Sequence, residues 1–244
     1  MKPQESSLSE PLAGQAALVT GGSRGIGLAI ARRLIRLKAR VTICARDAAT
    51  LRTAAERLSH EGGEVFAFPA DLRRPGEIAA LVERVHAALG PLSILVNNAG
   101  VGVFGQAIEL SEADWDSVLD TNLKAVFLLC RAVAPEMIRR RSGHIINISS
   151  LAGKNVFSGG AIYCASKWGL QALSYCLAEE LRGHGIRVSV VCPGTVATEF
   201  SPHTGKDSAK MLQPDDVAHA VEMLLTQAPQ SFISEVLLRP AQKP

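Results

Sequence analysis

The stretch Ala16-Ala17-Leu18-Val19-Thr20-Gly21-Gly22-Ser23-Arg24-Gly25-Ile26-Gly27 decides how this chain is read. Ala16 to Thr20 has the length and apolar character of a buried strand. A glycine-rich turn follows. From Gly27 to Lys38, Leu28, Ile30, Ala31, Leu34 and Ile35 recur at helical spacing. Strand, glycine turn and helix in that order have a physical use. Glycines let the backbone turn tightly and approach a pyrophosphate, and a helix N-terminus offers unpaired N–H groups and positive potential. A glycine-rich stretch alone is weak evidence, and a plain structural turn is the alternative. The strand before it and the helix after it give the motif its value.

Working outward, the same alternation continues. Strand-like runs lie at Val41 to Ala45, Val65 to Pro69, Leu92 to Asn97, Gly143 to Ser149, Arg187 to Cys192 and Glu235 to Leu238. Amphipathic runs lie between them at Ala48 to Glu61, Pro75 to Leu89, Asp114 to Arg140, Ala161 to Gly183 and Pro214 to Leu225. Pro135 is expected to kink or interrupt its helix. Repeated βα units mean a parallel sheet with helices on both faces and right-handed crossovers. The expectation is a single doubly wound, Rossmann-like α/β domain over residues 13–244, with a seven-stranded parallel sheet. Residues 1–12 read as a polar tail. No internal repeat or low-complexity linker divides the chain.

Composition removes other classes. The chain has 244 residues, 47% hydrophobic and 20% charged, which fits a globular protein with a large core. No run approaches the roughly 18 apolar residues of a membrane span. The N-terminus lacks the apolar core of a signal peptide, so a cytoplasmic location is expected. Five widely spaced cysteines without a C-x-x-C pair favour neither a zinc site nor a disulfide framework, and no metal is expected. A net charge of +3 is too mild to imply nucleic acid. The one basic run, Arg139-Arg140-Arg141, reads as cations at a helix C-terminus.

Chemistry gathers where the strands end. Tyr163 and Lys167 stand four residues apart at the start of a helix, so they share one face. A phenol with its ordinary pKa of about 10 is a poor proton donor near neutrality. A neighbouring ammonium is expected to lower that value. The second strand ends in Ala45-Arg46, where nicotinamide dinucleotide enzymes often carry an acid for the ribose 2′-hydroxyl. With Arg24 in the glycine turn, two planar guanidiniums suit a 2′-phosphate instead. Two ordinary surface arginines are the bland alternative. No Ser-His-Asp arrangement is suggested, and the serines closing the fifth strand have no adjacent base.

With its Thr20-Gly-x-x-x-Gly-x-Gly turn and its Tyr-x-x-x-Lys pair, the chain resembles the short-chain dehydrogenase/reductase family from about Ala13 to the C-terminus. The resemblance implies a catalytic tetrad of Asn122, Ser150, Tyr163 and Lys167. Ser150 lies thirteen residues before Tyr163, the family's usual interval, which favours it over Ser149. Asn122 is implied to hold a water that relays protons to Lys167. NADP(H) is the implied cofactor, held by Gly21, Ser23, Arg24, Gly25, Ile26 and Gly27 in the turn and by Arg46 after the second strand. Asp71 and Leu72 would meet the adenine, and Asn98, Ala99 and Gly100 would close the fourth strand around the cofactor. Tyr163, Lys167, Pro193, Gly194, Val196 and Thr198 would meet its nicotinamide end. The substrate is expected to be a carbonyl compound or an alcohol, lined by Val101 to Phe104 and Leu151 to Phe157 under a lid at about 196–213. A homo-oligomer, tetramer or dimer, is implied through the helices around 114–140 and 161–183 and through the C-terminal segment. A 3-oxoacyl-carrier-protein reductase is the alternative. Against it, Ser234 to Pro240 replaces that group's Gly-Gly strand, and Glu179-Glu180 stands where a basic residue often meets the acidic carrier. A dinucleotide-sensing regulator on the same scaffold is the alternative of another class, and such proteins are expected to lose part of the tetrad.

Overall fold

A computed structural model describes residues 10–200 and 207–244. The strand β1 (Ala16–Thr20) is buried along its whole length, because helices cover both of its faces. It is followed by α1 (Gly25–Arg36), β2 (Arg40–Ala45), α2 (Ala48–His60), β3 (Val65–Pro69), α3 (Pro75–Leu89) and β4 (Ile94–Asn97). Then come α4 (Glu112–Leu119), α5 (Ala125–Arg140), β5 (Gly143–Ile148), α6 (Ala161–Arg182), β6 (Ile186–Pro193), α7 (Pro214–Leu225) and β7 (Glu235–Leu238). The seven strands form one parallel sheet in the order β3-β2-β1-β4-β5-β6-β7.

Alternation along the strands builds two core layers. Ala17 and Val19 of β1 face Ile30 and Leu34 of α1, Leu51 of α2 and Val221 of α7. Ala16 and Leu18 face the opposite layer, with Ile78 of α3, Leu129 of α5 and Leu170 of α6. The chain starts mid-sheet, builds outward to β3, then returns to lay β4 beside β1. Connections from β1 and β4 therefore depart in opposite directions, and a crevice opens beyond their carboxyl ends.

Two local readings differ from the expectation. Leu12 is buried and its N–H donates to Leu37 O, so ordered packing begins before residue 13. Residues 1–9 of the expected tail lie outside the described residues. The helix expected over 114–140 is not broken at Pro135; α5 runs through it. Pro135 and Arg131, whose carbonyl loses its partner, are both exposed, so water can take the unused bond. The irregularity sits earlier, in a π-helical turn at Asp120–Lys124 joining α4 to α5. Arg139 and Arg140 end α5 beside Glu136. No described helix is long and apolar enough to cross a membrane. All five cysteines are free, with Cys44, Cys130, Cys164 and Cys192 buried.

Candidate active site

The glycine turn is shaped by close approach. Gly21 adopts φ +65°, and a Cβ there would lie 2.9 Å from Ala99 Cα at the end of β4. A Cβ on Gly27 would overlap Gly21 O, so only glycine lets α1 start this near the strand. Arg24 is the N-cap of α1 but makes no side-chain cap, and no acid lies in the first turn. The helix thus presents uncapped N–H groups and its positive end to the crevice. Thr20 ties this turn to β4. Its hydroxyl accepts from Asn98 N and Ala99 N, both at 3.0 Å, and donates to Val96 O. Asn98 Nδ2 donates to Thr20 O at 3.0 Å, so the side chain of Asn98 braces the turn.

The residues expected around the adenosine end are assembled on the same side. Arg46 follows β2 with an exposed side chain, and its charge is felt by Asp71. Asp71 is held down at about 2, chiefly by its ion pair with Arg73 at 2.6 Å, with Arg46 adding to the effect. Arg24 Nη1 reaches across the crevice to Glu199 at 2.6 Å. Both partners are exposed, and such a pair contributes only about 0–1 kcal/mol, so a phosphate competes for Arg24 at little cost.

At the other end of the crevice, Tyr163, Lys167 and Ser150 converge from α6 and the end of β5. Lys167 Nζ donates to Ile148 O at 3.0 Å, lies 5.8 Å from the Tyr163 ring centre, and is buried. Burial pushes the Lys167 ammonium down to about 8. The expected lowering of Tyr163 is not what the structure gives. Burial pushes its phenol up to about 12, and a hydrogen bond with Ser150 works the other way but is outweighed. Ser150 caps the 3₁₀ turn Leu151–Gly153, accepting from Ala152 N at 3.1 Å. Its hydroxyl also makes a long contact, 3.5 Å, with Pro193 O. Ser149 instead points into α6, donating to Lys167 O at 3.3 Å, which leaves Ser150 as the serine facing the crevice.

Asn122 sits in the π-helical turn. Its side-chain oxygen accepts from Val101 N at 2.8 Å, and its amide nitrogen donates to Val101 O and Ser166 Oγ. Ser166 Oγ donates onward to Tyr163 O at 2.7 Å. The Asn122 side chain therefore locks the loop after β4 to the first turn of α6. A second amide relay lies below it: Asn97 Nδ2 donates to Asn147 Oδ1 and Asn147 Nδ2 to Ser174 Oγ, both at 2.8 Å. Together they fix β4, β5 and α6 relative to one another.

Gly194 N donates to Leu238 O at 2.8 Å, which holds the turn after β6 against β7. The segment after it is pinned at its base. Val196 bridges Leu212, Ala197 N donates to Leu212 O at 2.8 Å, and Leu212 N to Thr195 O at 3.0 Å. Of the expected lid, residues 201–206 lie outside the described residues. Phe200 stands against Tyr163 at 5.7 Å between ring centres, and Phe104 packs on Tyr163 edge-on at 5.5 Å. Phe157 extends that wall, 6.2 Å from Phe104. The Tyr163 ring thus lies beside a partly exposed aromatic surface.

A sequence profile of the short chain dehydrogenase family matches residues 15–209. The chain belongs to that family. A ketoacyl reductase, HetN, from a Nostoc strain is 38% identical over 214 residues, which cover 86% of this chain and 75% of that one. A metagenomic short-chain oxidoreductase solved in complex with NADP is 51% identical, with a TM-score of 0.85, covering 95% of this chain and 99% of the other. The actinorhodin polyketide ketoreductase, in a Phe-to-Trp variant solved with NADPH, is 36% identical with a TM-score of 0.86, covering 92% and 95%.

Within this short-chain dehydrogenase, three contributors escape the sequence reading. Thr20, Ser166 and Gln171 carry hydrogen bonds that shape the site. Thr20 is readable in hindsight, as the last strand residue before the glycines. Ser166 and Gln171 have no such signal, because a helix sequence does not say which polar side chain turns inward.

Proposed function

We propose that this short-chain dehydrogenase is an NADP(H)-dependent oxidoreductase that interconverts a carbonyl compound and its alcohol. The observation that carries the reading is the convergence of Ser150, Tyr163 and Lys167 at one end of a crevice whose other end is the glycine turn. The crevice fits the cofactor: it has an uncapped helix start without an acid, a turn that a Cβ would fill, and Arg24 and Arg46 where a 2′-phosphate needs donors. Gly21 to Gly27 and Arg46 would hold the phosphates, Asp71 and Leu72 the adenine side, and Asn98 to Gly100 the middle. Pro193, Gly194, Val196, Thr198, Tyr163 and Lys167 would hold the nicotinamide end, under a lid at about 196–213. NADP in the 51% identical structure supports this choice.

When bound, the cofactor supplies or accepts the hydride. The protein does the rest by orientation and electrostatics. Ser150 and Tyr163 hydrogen-bond the carbonyl oxygen. Tyr163 gives that oxygen its proton, and its raised pKa keeps the phenol protonated until then. Lys167 then resupplies the phenolate, fed by a water at Asn122. The wall of Phe104, Phe157 and Phe200 favours a substrate with an apolar or aromatic group beside the carbonyl. The ketoacyl and ketoreductase relatives favour a second reading, reduction of a 3-oxoacyl thioester. Exposed Glu179 and Glu180 argue against an acidic carrier docking at that part of α6.

A Tyr163→Phe variant tests the reading. It should still bind NADPH, and bind it more tightly than NADH, in a fluorescence titration. Turnover across a panel of aldehydes, ketones and acetoacetyl thioesters should fall by about 10²–10⁴-fold. Near-normal turnover by the variant would remove Tyr163 as the proton donor. NADPH binding by the unaltered protein with no turnover anywhere in the panel would favour a dinucleotide-sensing regulator.

A further inference from the structure

We propose that Gln171 is a positioning residue for Ser150, which rests on the reading that Ser150 orients the substrate carbonyl. Gln171 lies on α6 one turn beyond Lys167 and is 3% exposed. Its amide nitrogen has two hydrogens, and both point at the end of β5. One bond reaches Ser150 O at 3.3 Å, and the other reaches Ser149 Oγ at 3.4 Å. Ser149 in turn donates a hydrogen bond to Lys167 O. One side chain therefore binds the backbone of the candidate catalytic serine to the helix that carries Tyr163 and Lys167.

The turn after Ser150 is built around this amide. A Cβ on Gly153 would overlap Gln171 Nε2 and come within 2.7 Å of Lys167 O. Glycine at 153 is what lets the turn close onto the glutamine. That turn in turn aims the Ser150 hydroxyl, because Ala152 N donates to Ser150 Oγ at 3.1 Å. The backbone donor takes one lone pair of the hydroxyl, so its proton can turn from the long Pro193 contact toward Tyr163 or a substrate oxygen. Gln171 acts on this arrangement from behind, by fixing the peptide that follows Ser150. From the outer side, Tyr175 OH lies 3.5 Å from Gln171 Oε1, but its proton has a better acceptor in Glu235 at 2.8 Å, so the orientation of the amide is set mainly from within.

Gln171 touches neither cofactor nor substrate in this scheme, so its effect must pass through Ser150. The test is a double-mutant cycle of Ser150→Ala and Gln171→Met in the full chain, with NADPH and trifluoroacetophenone. Methionine keeps the length and volume but removes the donors. Gln171→Met should lower kcat by about tenfold to a hundredfold, the scale of a misaligned catalytic group, with the Kd for NADPH unchanged. In the Ser150→Ala background the same substitution should change kcat less than threefold. Losses that multiply, a wild-type kcat for Gln171→Met, or equal losses in NADPH binding and turnover would each overturn the proposal. If Ser150→Ala alone keeps full activity, the reading of Ser150 fails first, and the positioning role falls with it. Should Gln171→Met not fold, Gln171→Asn keeps the amide but draws it back by one methylene, and the same cycle is read with it.

Discussion

Tyr163 and Lys167 show how far one residue pair can be read from a sequence. Their four-residue spacing makes them neighbours on α6, and the interval from Ser150 to Tyr163 selects the serine of that pair that faces the crevice. The direction of the Tyr163 shift was not legible. Spacing reveals the adjacent cation but not that both groups lie in a low-dielectric site, and burial favours the neutral form of each. Lys167 is the group this brings into range. Its ammonium loses its proton near pH 8 rather than at the ordinary 10.5. In the proposed reduction, the proton path through Lys167 must start charged. The kcat/KM for NADPH, which reports groups in the free enzyme, should therefore fall as pH rises through about 8. A profile flat to pH 9.5 would contradict that assignment.

At the scale of elements, periodicity located the α-helices and strands of the described residues to within a few positions, including the short β7. The 114–140 region was the exception. Proline is the visible helix breaker, so the break was expected at Pro135, and the structure places the irregularity at Asp120–Lys124. A π turn widens the helix by shifting bonds to i+5, and no residue type announces it. It carries Asn122, and π turns often mark functional positions for this reason. Pro135, by contrast, is tolerated because it lies on the exposed side of α5. Pro135→Ala should restore a bond to Arg131 O without touching the core. The melting temperature should rise, with a gain of about 1–2 kcal/mol after the proline's restraint on the unfolded chain is subtracted. A fall in stability would mean that the proline packs against something that the exposed face does not show.

For the whole molecule, the strand count, the parallel sheet and the placement of the site at the carboxyl ends of the strands all follow from the βα alternation. What covers the outer faces of the helices does not, because a sequence marks which side chains are apolar but not which stay outside. Trp115 on α4, Phe127 on α5 and Trp168 on α6 are 49%, 44% and 49% exposed. α5 and α6 lie in the same layer on one side of the sheet, and α4 packs against α6. Large apolar side chains gathered this way usually mark an interface. A second copy of the chain is the occupant that the family resemblance implies, and a two-fold arrangement would set each α5 against its twin. Sedimentation at micromolar concentration is therefore expected to give the mass of a dimer or tetramer. Phe127→Glu would place an unpaired carboxylate in that contact and should shift the mass toward the single chain. The residues proposed to hold NADPH all lie on the same chain, so a monomer formed this way should still bind NADPH. A single-chain mass for the unaltered protein would leave those three aromatic side chains facing water and would overturn the assignment.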